Sequence, residues 1–273
     1  MKYAMNHATL MKTPLEMFLK AIAEAGFHGV ELRRDETFNY LQSHSIDDLN
    51  QLLQSLNLEC ISFNAIELFS LCPQQDFQDI LNYTERLMKI GIQIGCDLII
   101  AVPSFLDDIH MKNEEIKEKT IARLKILAKM ANEYNFRLAF EPLGFPNCSV
   151  RKLDFALDII KNEYLPKMGL VIDTFHFFIA EHNINDLDLL DPEDLWLVHI
   201  NDAIEKPFNE LKDSHRILPC RGFFNLEMFL NKIKELEYDG WVSVELFNEE
   251  LWKDNPNQVA QKAYKSLNEL VQS

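Results

Sequence analysis

Three carboxylates and one imidazole end four separate apolar runs: Glu141 closes Arg137-Leu-Ala-Phe-Glu, Asp173 closes Gly169-Leu-Val-Ile-Asp, His199 closes Leu195-Trp-Leu-Val-His, and Glu245 closes Trp241-Val-Ser-Val-Glu. A Glu or His alone at the end of a strand is ordinary, as a solvated or hydrogen-bonded group. Four such residues at the ends of buried strands are another matter, because three carboxylates packed together repel one another and resist ionisation unless a cation neutralises them. This donor set suits one divalent ion (Mn2+, Mg2+, Co2+ or Zn2+) and is unlike a structural zinc site built on thiolates.

The elements that position these residues follow from their spacing. The gaps between them are 32, 26 and 46 residues, close to the length of one strand-plus-helix unit in an eight-unit barrel of about 250 residues. Strand-like runs cover Tyr3 to Asn6, Gly29 to Leu32, Glu59 to Asn64, Leu98 to Val102, Arg137 to Glu141, Met168 to Asp173, Leu195 to Asn201 and Gly240 to Leu246. Helical patterns lie between them at Pro14 to Ala25, Ile46 to Ser55, Phe77 to Ile94, Asn113 to Asn135, Lys152 to Asn162, Asn225 to Leu236 and Asn257 to Gln272, with barely one turn, His176 to Ala180, in the sixth unit. Pro14 suits a first helical turn, Gly26 a C-terminal cap, and Ser45 with Asp48 a capping box.

Eight alternations predict an α/β chain folded as one (β/α)8 TIM barrel over residues 1–273, with an open doubly wound sheet as the rival. The barrel is favoured because the carboxyl ends of its strands 5 to 8 form one arc over a single mouth, where the metal site is expected. Shared parity predicts that Ala139 and Glu141, Leu197 and His199, and Ser243 and Glu245 aim inward. Around that mouth, His176 is expected to contact a substrate hydroxyl or to cap the short helix, and Arg216, in the loop from Asn201 to Phe223, to clamp substrate oxygens or form a surface salt bridge. Asn6, Glu31 and Asn64 end strands 1 to 3 and are expected to line the other half of the mouth, Asn6 and Asn64 as substrate contacts. Phe175, Phe177 and Phe178 are read as packing or a pocket wall.

Composition narrows the function. The 273 residues carry 27 Lys plus Arg against 43 Asp plus Glu, a formal charge of −16, with no basic cluster, so a nucleic-acid partner is not expected. The five cysteines, Cys60, Cys72, Cys96, Cys148 and Cys220, are scattered as reduced thiols are, and no signal-peptide core or apolar run of about 18 residues appears. The reading is a soluble cytoplasmic protein with no membrane partner and an open oligomeric state. No Gly-x-Gly-x-x-Gly follows the first strand and no phosphate-binding Gly-x-x-x-x-Gly-Lys-Ser/Thr loop occurs, so no nucleotide is expected. The scarcity of glycines favours an unphosphorylated substrate.

Particular segments then carry a resemblance. Tyr40-Leu-Gln-Ser-His-Ser-Ile-Asp-Asp-Leu, Ala101-Val-Pro, Glu141-Pro-Leu-Gly-Phe-Pro-Asn-Cys-Ser-Val, Asp173-Thr-Phe-His-Phe, His199-Ile-Asn-Asp and Val242-Ser-Val-Glu-Leu-Phe are similar to the xylose isomerase-like sugar isomerase and epimerase barrels. The stretches Glu141 to Val150 and Val242 to Phe247 resemble the inosose isomerase branch in particular. The resemblance implies Glu141, Asp173, His199 and Glu245 as metal ligands and His176 and Arg216 as substrate contacts. It implies an isomerase acting on a keto-polyol, inosose above all; the chemistry of moving a carbonyl along a polyol then leads us to expect Glu141 and Glu245 to transfer the protons through a metal-bound cis-enediolate. Dehydratases of inosose or 3-dehydroshikimate and ketohexose 3-epimerases are the alternatives on the same scaffold. One departure is Pro219-Cys-Arg-Gly, where Cys220 replaces the first glycine of the family's Gly-x-Gly. Asp213-Ser-His215 is similar to part of the extra metal set of the endonuclease IV branch, but strands 3 and 4 end in Asn64 and Pro103 instead of that branch's histidines.

Overall fold

Apolar residues along the helical segments repeat at the spacing that buries one face. In α1 (Leu15–Ala25), Leu15, Phe18, Leu19 and Ile22 fall at i, i+3, i+4 and i+7 and all are buried. Pro14 immediately precedes this helix, and Gly26 ends it at φ +106°, a left-handed position open to a residue without Cβ. Ser45 and Asp48 form the expected capping box of α3 (Ile46–Ser55). These faces pack on a closed sheet.

The computed structural model describes residues 1–107 and 110–272. Its eight barrel strands are β1 (Lys2–Asn6), β2 (Gly29–Arg33), β3 (Glu59–Ile66), β4 (Leu98–Ala101), β5 (Arg137–Phe140), β6 (Gly169–Asp173), β7 (Leu195–Ile200) and β8 (Trp241–Val244). Each strand runs parallel to its sequence neighbours, and β8 returns to β1 with Lys2 opposite Trp241 and Met5 opposite Val244. The predicted TIM barrel is therefore the fold, and the open sheet is excluded. The remaining helices are α2 (Arg34–Tyr40), α4 (Gln74–Ile94), α5 (Asn113–Glu133), α6 (Leu153–Ile160), α7 (Thr174–Ile179), α8 (Leu226–Glu235) and α9 (Pro256–Gln272). Among the described residues, no helix is long and apolar enough to cross a membrane.

Several boundaries differ from those read in the sequence. β5, β7 and β8 stop at Phe140, Ile200 and Val244, so Glu141, Asn201 and Glu245 lie just beyond them. The ladder continues through single bonds, Glu141 N–H to Ala101 O at 3.0 Å and Glu245 N–H to Ile200 O at 3.4 Å, as the chain turns out over the mouth. The short α2 was not expected, and the weak sixth unit is α7 followed by a 3-10 segment at Ile184–Leu189.

Inside the barrel, Ala4, Ile61, Leu98, Ile100, Ala139, Val171 and Leu197 form an apolar plug, against which Trp196 and Trp241 pack near the strands' amino ends. Gly29 and Gly169 make room for those two rings: a Cβ on Gly29 would lie 2.6 Å from the Trp241 ring, and one on Gly169 would lie 2.1 Å from that of Trp196. The amino end is thus filled by side chains, and polar residues collect at the other end.

Just after β1, His7 is buried and stacks on Phe18 with ring centroids 4.2 Å apart. Its Nε2–H donates to Thr13 O at 2.9 Å, and Nδ1 has no partner among the described residues. Burial, together with the nearby Arg33 charge, pushes the imidazole down from 6.5 to about 4 despite the Thr13 bond. Between these values the unfolded chain binds a proton that the folded protein refuses, so stability falls as pH drops from 6.5 toward 4. The expected contribution at pH 4.5 is a loss of about 2–3 kcal/mol relative to pH 7.5. Denaturant unfolding at the two pH values should show the difference shrinking by that amount in His7→Gln; an unchanged difference would remove His7 as a cause of acid sensitivity.

Candidate active site and metal centre

The four residues found at strand ends meet at the carboxyl mouth of β5 to β8. Glu141, Asp173, His199 and Glu245 are all buried, and each offers one ligand atom such that all four atoms lie within 4.8 Å of one another. Register brings two of them side by side, with Asp173 opposite His199 across β6 and β7 and Ser243 of β8 opposite His199. His199 Nδ1 faces Glu141 Oε1 at 3.0 Å, Glu245 Oε2 at 3.4 Å and Asp173 Oδ2 at 3.9 Å.

The electrostatics suit a cation held between these residues. Burial, reinforced by the charges of Glu141 and Asp173, pushes Glu245 up to about 8 against the pull of His199 and Arg216. Burial opposes a charge on His199, yet the carboxylates of Glu245, Glu31 and Glu141 hold it well above the usual imidazole range. Asp173 is also opposed by burial, but Arg216, His176 and His199 keep it below the usual carboxylate range. Three oxygens and one nitrogen, crowded and partly forced to keep protons, make a group suited to one metal ion.

Each member is held by neighbours. Asp173 Oδ1 caps α7 by accepting from His176 N–H at 2.9 Å, while its Oδ2 accepts from Asn201 Nδ2 at 2.9 Å. Glu245 Oε1 accepts from Asn6 Nδ2 at 2.9 Å and from Asn64 Nδ2 at 3.1 Å. Asn6 is fully buried, with its oxygen on Ala8 N–H. Asn64 reaches the cavity wall, and its oxygen accepts from Arg33 Nη1 at 2.9 Å. Both amides therefore grip Glu245. Glu31 departs from its expected place: it lies within β2, fully buried beneath His199, and does not line the mouth.

Arg216 is 1% exposed, which rules out a surface salt bridge. Its Nη1 donates to Asp173 Oδ2 at 2.8 Å and Glu245 Oε2 at 3.1 Å, and its Nε and Nη2 donate to Asp213 Oδ1 at 3.0 and 2.7 Å. The rings of Phe175 and Phe247 flank the guanidinium at 4.7 and 5.2 Å. A two-stranded antiparallel ladder, Asp202–Ala203 with Arg216–Ile217, brings this loop residue inward. The same loop holds Cys220 at φ +60°, a left-handed position where an L side chain is strained and glycine is favoured.

His176 accepts at Nε2 from Arg216 Nη2 at 3.0 Å. Because a guanidinium only donates, the imidazole proton sits on Nδ1, a buried donor with no partner among the described residues. Burial and the Arg216 charge push this histidine down, toward the neutral form. The residue capping α7 is thus Asp173, not the His176 side chain. Asp213 is engaged by Arg216, and His215 Nδ1 accepts from Lys212 N–H at 3.1 Å. Among the described residues neither belongs to a metal-type cluster. Phe175 and Phe177 are packing residues, buried among other rings.

A cavity of about 250 Å3 opens over this group, lined at its base by Glu141, Glu245, His176, Arg216 and Asn64 and on its walls by Val102, Leu143, Phe145 and Phe247. Asp173 and His199 do not reach it. Arg33, Phe145 and Phe247 are pocket residues that sequence reasoning missed. Arg33 and Phe247 each follow directly on a run read as strand, but nothing in their types distinguishes a pocket arginine from a surface one.

A closed parallel barrel with acidic and imidazole donors gathered at its carboxyl mouth defines an enzyme of the metal-dependent barrel class. Residues 19–270 match the family described as Xylose isomerase-like TIM barrel, and the chain belongs to that family, whose members include sugar isomerases and epimerases. An inosose isomerase of Halalkalibacterium halodurans is 29% identical over 99% of this chain and 96% of its own. A 3-dehydroshikimate dehydratase of Pseudomonas aeruginosa is 27% identical over 85% of this chain but only 36% of its own length. The solved structure of the IOLI protein with a binding zinc atom superposes with a TM-score of 0.94 at 29% identity, covering 99% of this chain and 98% of that one. With these relatives, the chain is an enzyme of the xylose isomerase-like family.

Proposed function

We propose that the protein is an inosose (2-keto-myo-inositol) isomerase, moving a carbonyl along an unphosphorylated keto-polyol by proton transfer. The observation that carries this reading is the division of the acidic group: Glu141 and Glu245 line the cavity, whereas Asp173 and His199 stay behind it. Two carboxyl groups facing one ligand can take a proton from one carbon and return it to the next. All four residues would hold a divalent ion, which when bound supplies Lewis acidity to a ketone oxygen. Asp173, fixed by Asn201 and Arg216, and His199 serve as holders.

The chain's other residues orient the substrate and the base. Asn6 and Asn64 fix Glu245 from one side and Arg216 from the other, so its carboxyl plane is set before substrate arrives. His176, neutral and with its Nδ1–H unpartnered, is a donor for a substrate oxygen after a small movement of the ring. A cavity of about 250 Å3 is at the small end of ligand sites and suits a single six-carbon ring, whose apolar faces would meet Val102, Leu143 and Phe145. The full-length similarity to an inosose isomerase supports the substrate.

Dehydration of a similar ketone is the second reading, supported by the similarity to a 3-dehydroshikimate dehydratase. Mass spectrometry of the product from the Mn2+-loaded protein and 2-keto-myo-inositol separates the two. An isomer of unchanged mass is expected; a product lighter by one water would transfer the assignment to the dehydratase.

A further inference from the structure

We propose that Glu31 is the positioning residue of the metal centre, holding His199 so that Nε2–H rests on its carboxylate and Nδ1 is turned toward Glu141, Asp173 and Glu245. This inference rests on reading those four residues as a metal site. Both Glu31 oxygens lie 3.1 Å from His199 Nε2, and both residues are fully buried. The carboxylate is itself fixed from two further strands. Ser62 Oγ donates to Oε2 at 2.7 Å, from the position opposite Glu31 in the β2–β3 ladder, and Ser243 Oγ donates to Oε1 at 2.5 Å from β8.

This arrangement asks for a chemical reason. Among the described residues, His199 is the only ionic partner of Glu31. A buried carboxylate without a Lys or Arg is hard to retain for packing alone. Its distinguishing property is that, once ionised, it only accepts hydrogen bonds. With two serine hydroxyls occupying its outer lone pairs, the remaining ones select the imidazole tautomer whose proton is on Nε2. With Nε2–H held on Glu31, Nδ1 is the nitrogen turned into the acidic group, where it would serve as a ligand once a cation took the place of its proton, and the carboxylate would raise its basicity.

The test measures metal affinity, not turnover. Zn2+ is titrated into wild type, Glu31→Gln and Ser243→Ala in competition with a chromophoric chelator, with Co2+ absorption as a second readout of the ligand environment. The expected result is a 10- to 100-fold weaker Zn2+ affinity in Glu31→Gln, a smaller loss in Ser243→Ala, and an altered Co2+ spectrum in the first. If wild type binds Zn2+ and both variants bind it equally well, or if Glu31→Gln does not fold and Ser243→Ala binds as wild type does, Glu31 is only structural and this inference fails while the isomerase reading stands. Failure of wild type itself to bind either metal overturns both.

Discussion

Glu245→Gln lowers kcat by about 10²- to 10⁴-fold, the range typical of a lost general base or acid, while KM stays within a few-fold of wild type. Glu245 is the carboxyl group most completely prepared in the cavity, with Asn6 and Asn64 on one oxygen and Arg216 on the other. A glutamine keeps the shape and one acceptor oxygen but cannot take up or deliver the proton. Because Glu245 also belongs to the four-residue group, metal content is measured alongside the kinetics. A turnover loss with metal retained and KM steady identifies an interaction made in the transition state. Equal changes in kcat and KM, with metal retained, would contradict the role given to this residue.

Arg216→Met destabilises the metal-free protein by about 3–5 kcal/mol, the usual effect of removing one partner of a buried ion pair. The guanidinium lies against Asp173, Glu245 and Asp213, and its loss leaves the first two buried without their nearest fixed cation. A bound metal supplies positive charge to the same carboxylates. Saturating Mn2+ therefore stabilises the variant more than wild type, where a ligand at one hundred times its Kd already adds about 2.7 kcal/mol. Denaturant unfolding of both proteins with and without Mn2+ gives the comparison. An equal gain in the two would mean that Arg216 and the metal do not share the task of neutralising the site.

Much of this site was legible because each chemical residue ends an apolar strand. Spacing between Glu141, Asp173, His199 and Glu245 implied closure, and closure brought them together. Capping chemistry likewise announced Gly26 and the Ser45–Asp48 box. The polar supports were harder to read. Glu31 occupies the centre of Gly29-Val-Glu-Leu-Arg, and only the pairing of β2 with β3 and the position of His199 show that its side chain lies under the site. Arg216 depends on a two-residue ladder too short to leave a periodic signal. The grip of Asn6 and Asn64 on Glu245 joins residues 239 and 181 positions apart, contacts set by barrel closure and invisible in local pattern.

Metal-dependent proton transfer at this site is tested by deuterium exchange. The Mn2+-loaded protein is incubated with 2-keto-myo-inositol in D2O, and the ring protons are followed by NMR beside a chelator-treated control. Deuterium at carbon next to the carbonyl is expected together with an isomeric inosose, both dependent on metal and both suppressed in Glu245→Gln. An isomer formed with no deuterium uptake and at the same rate without metal would contradict a metal-dependent proton transfer at this site.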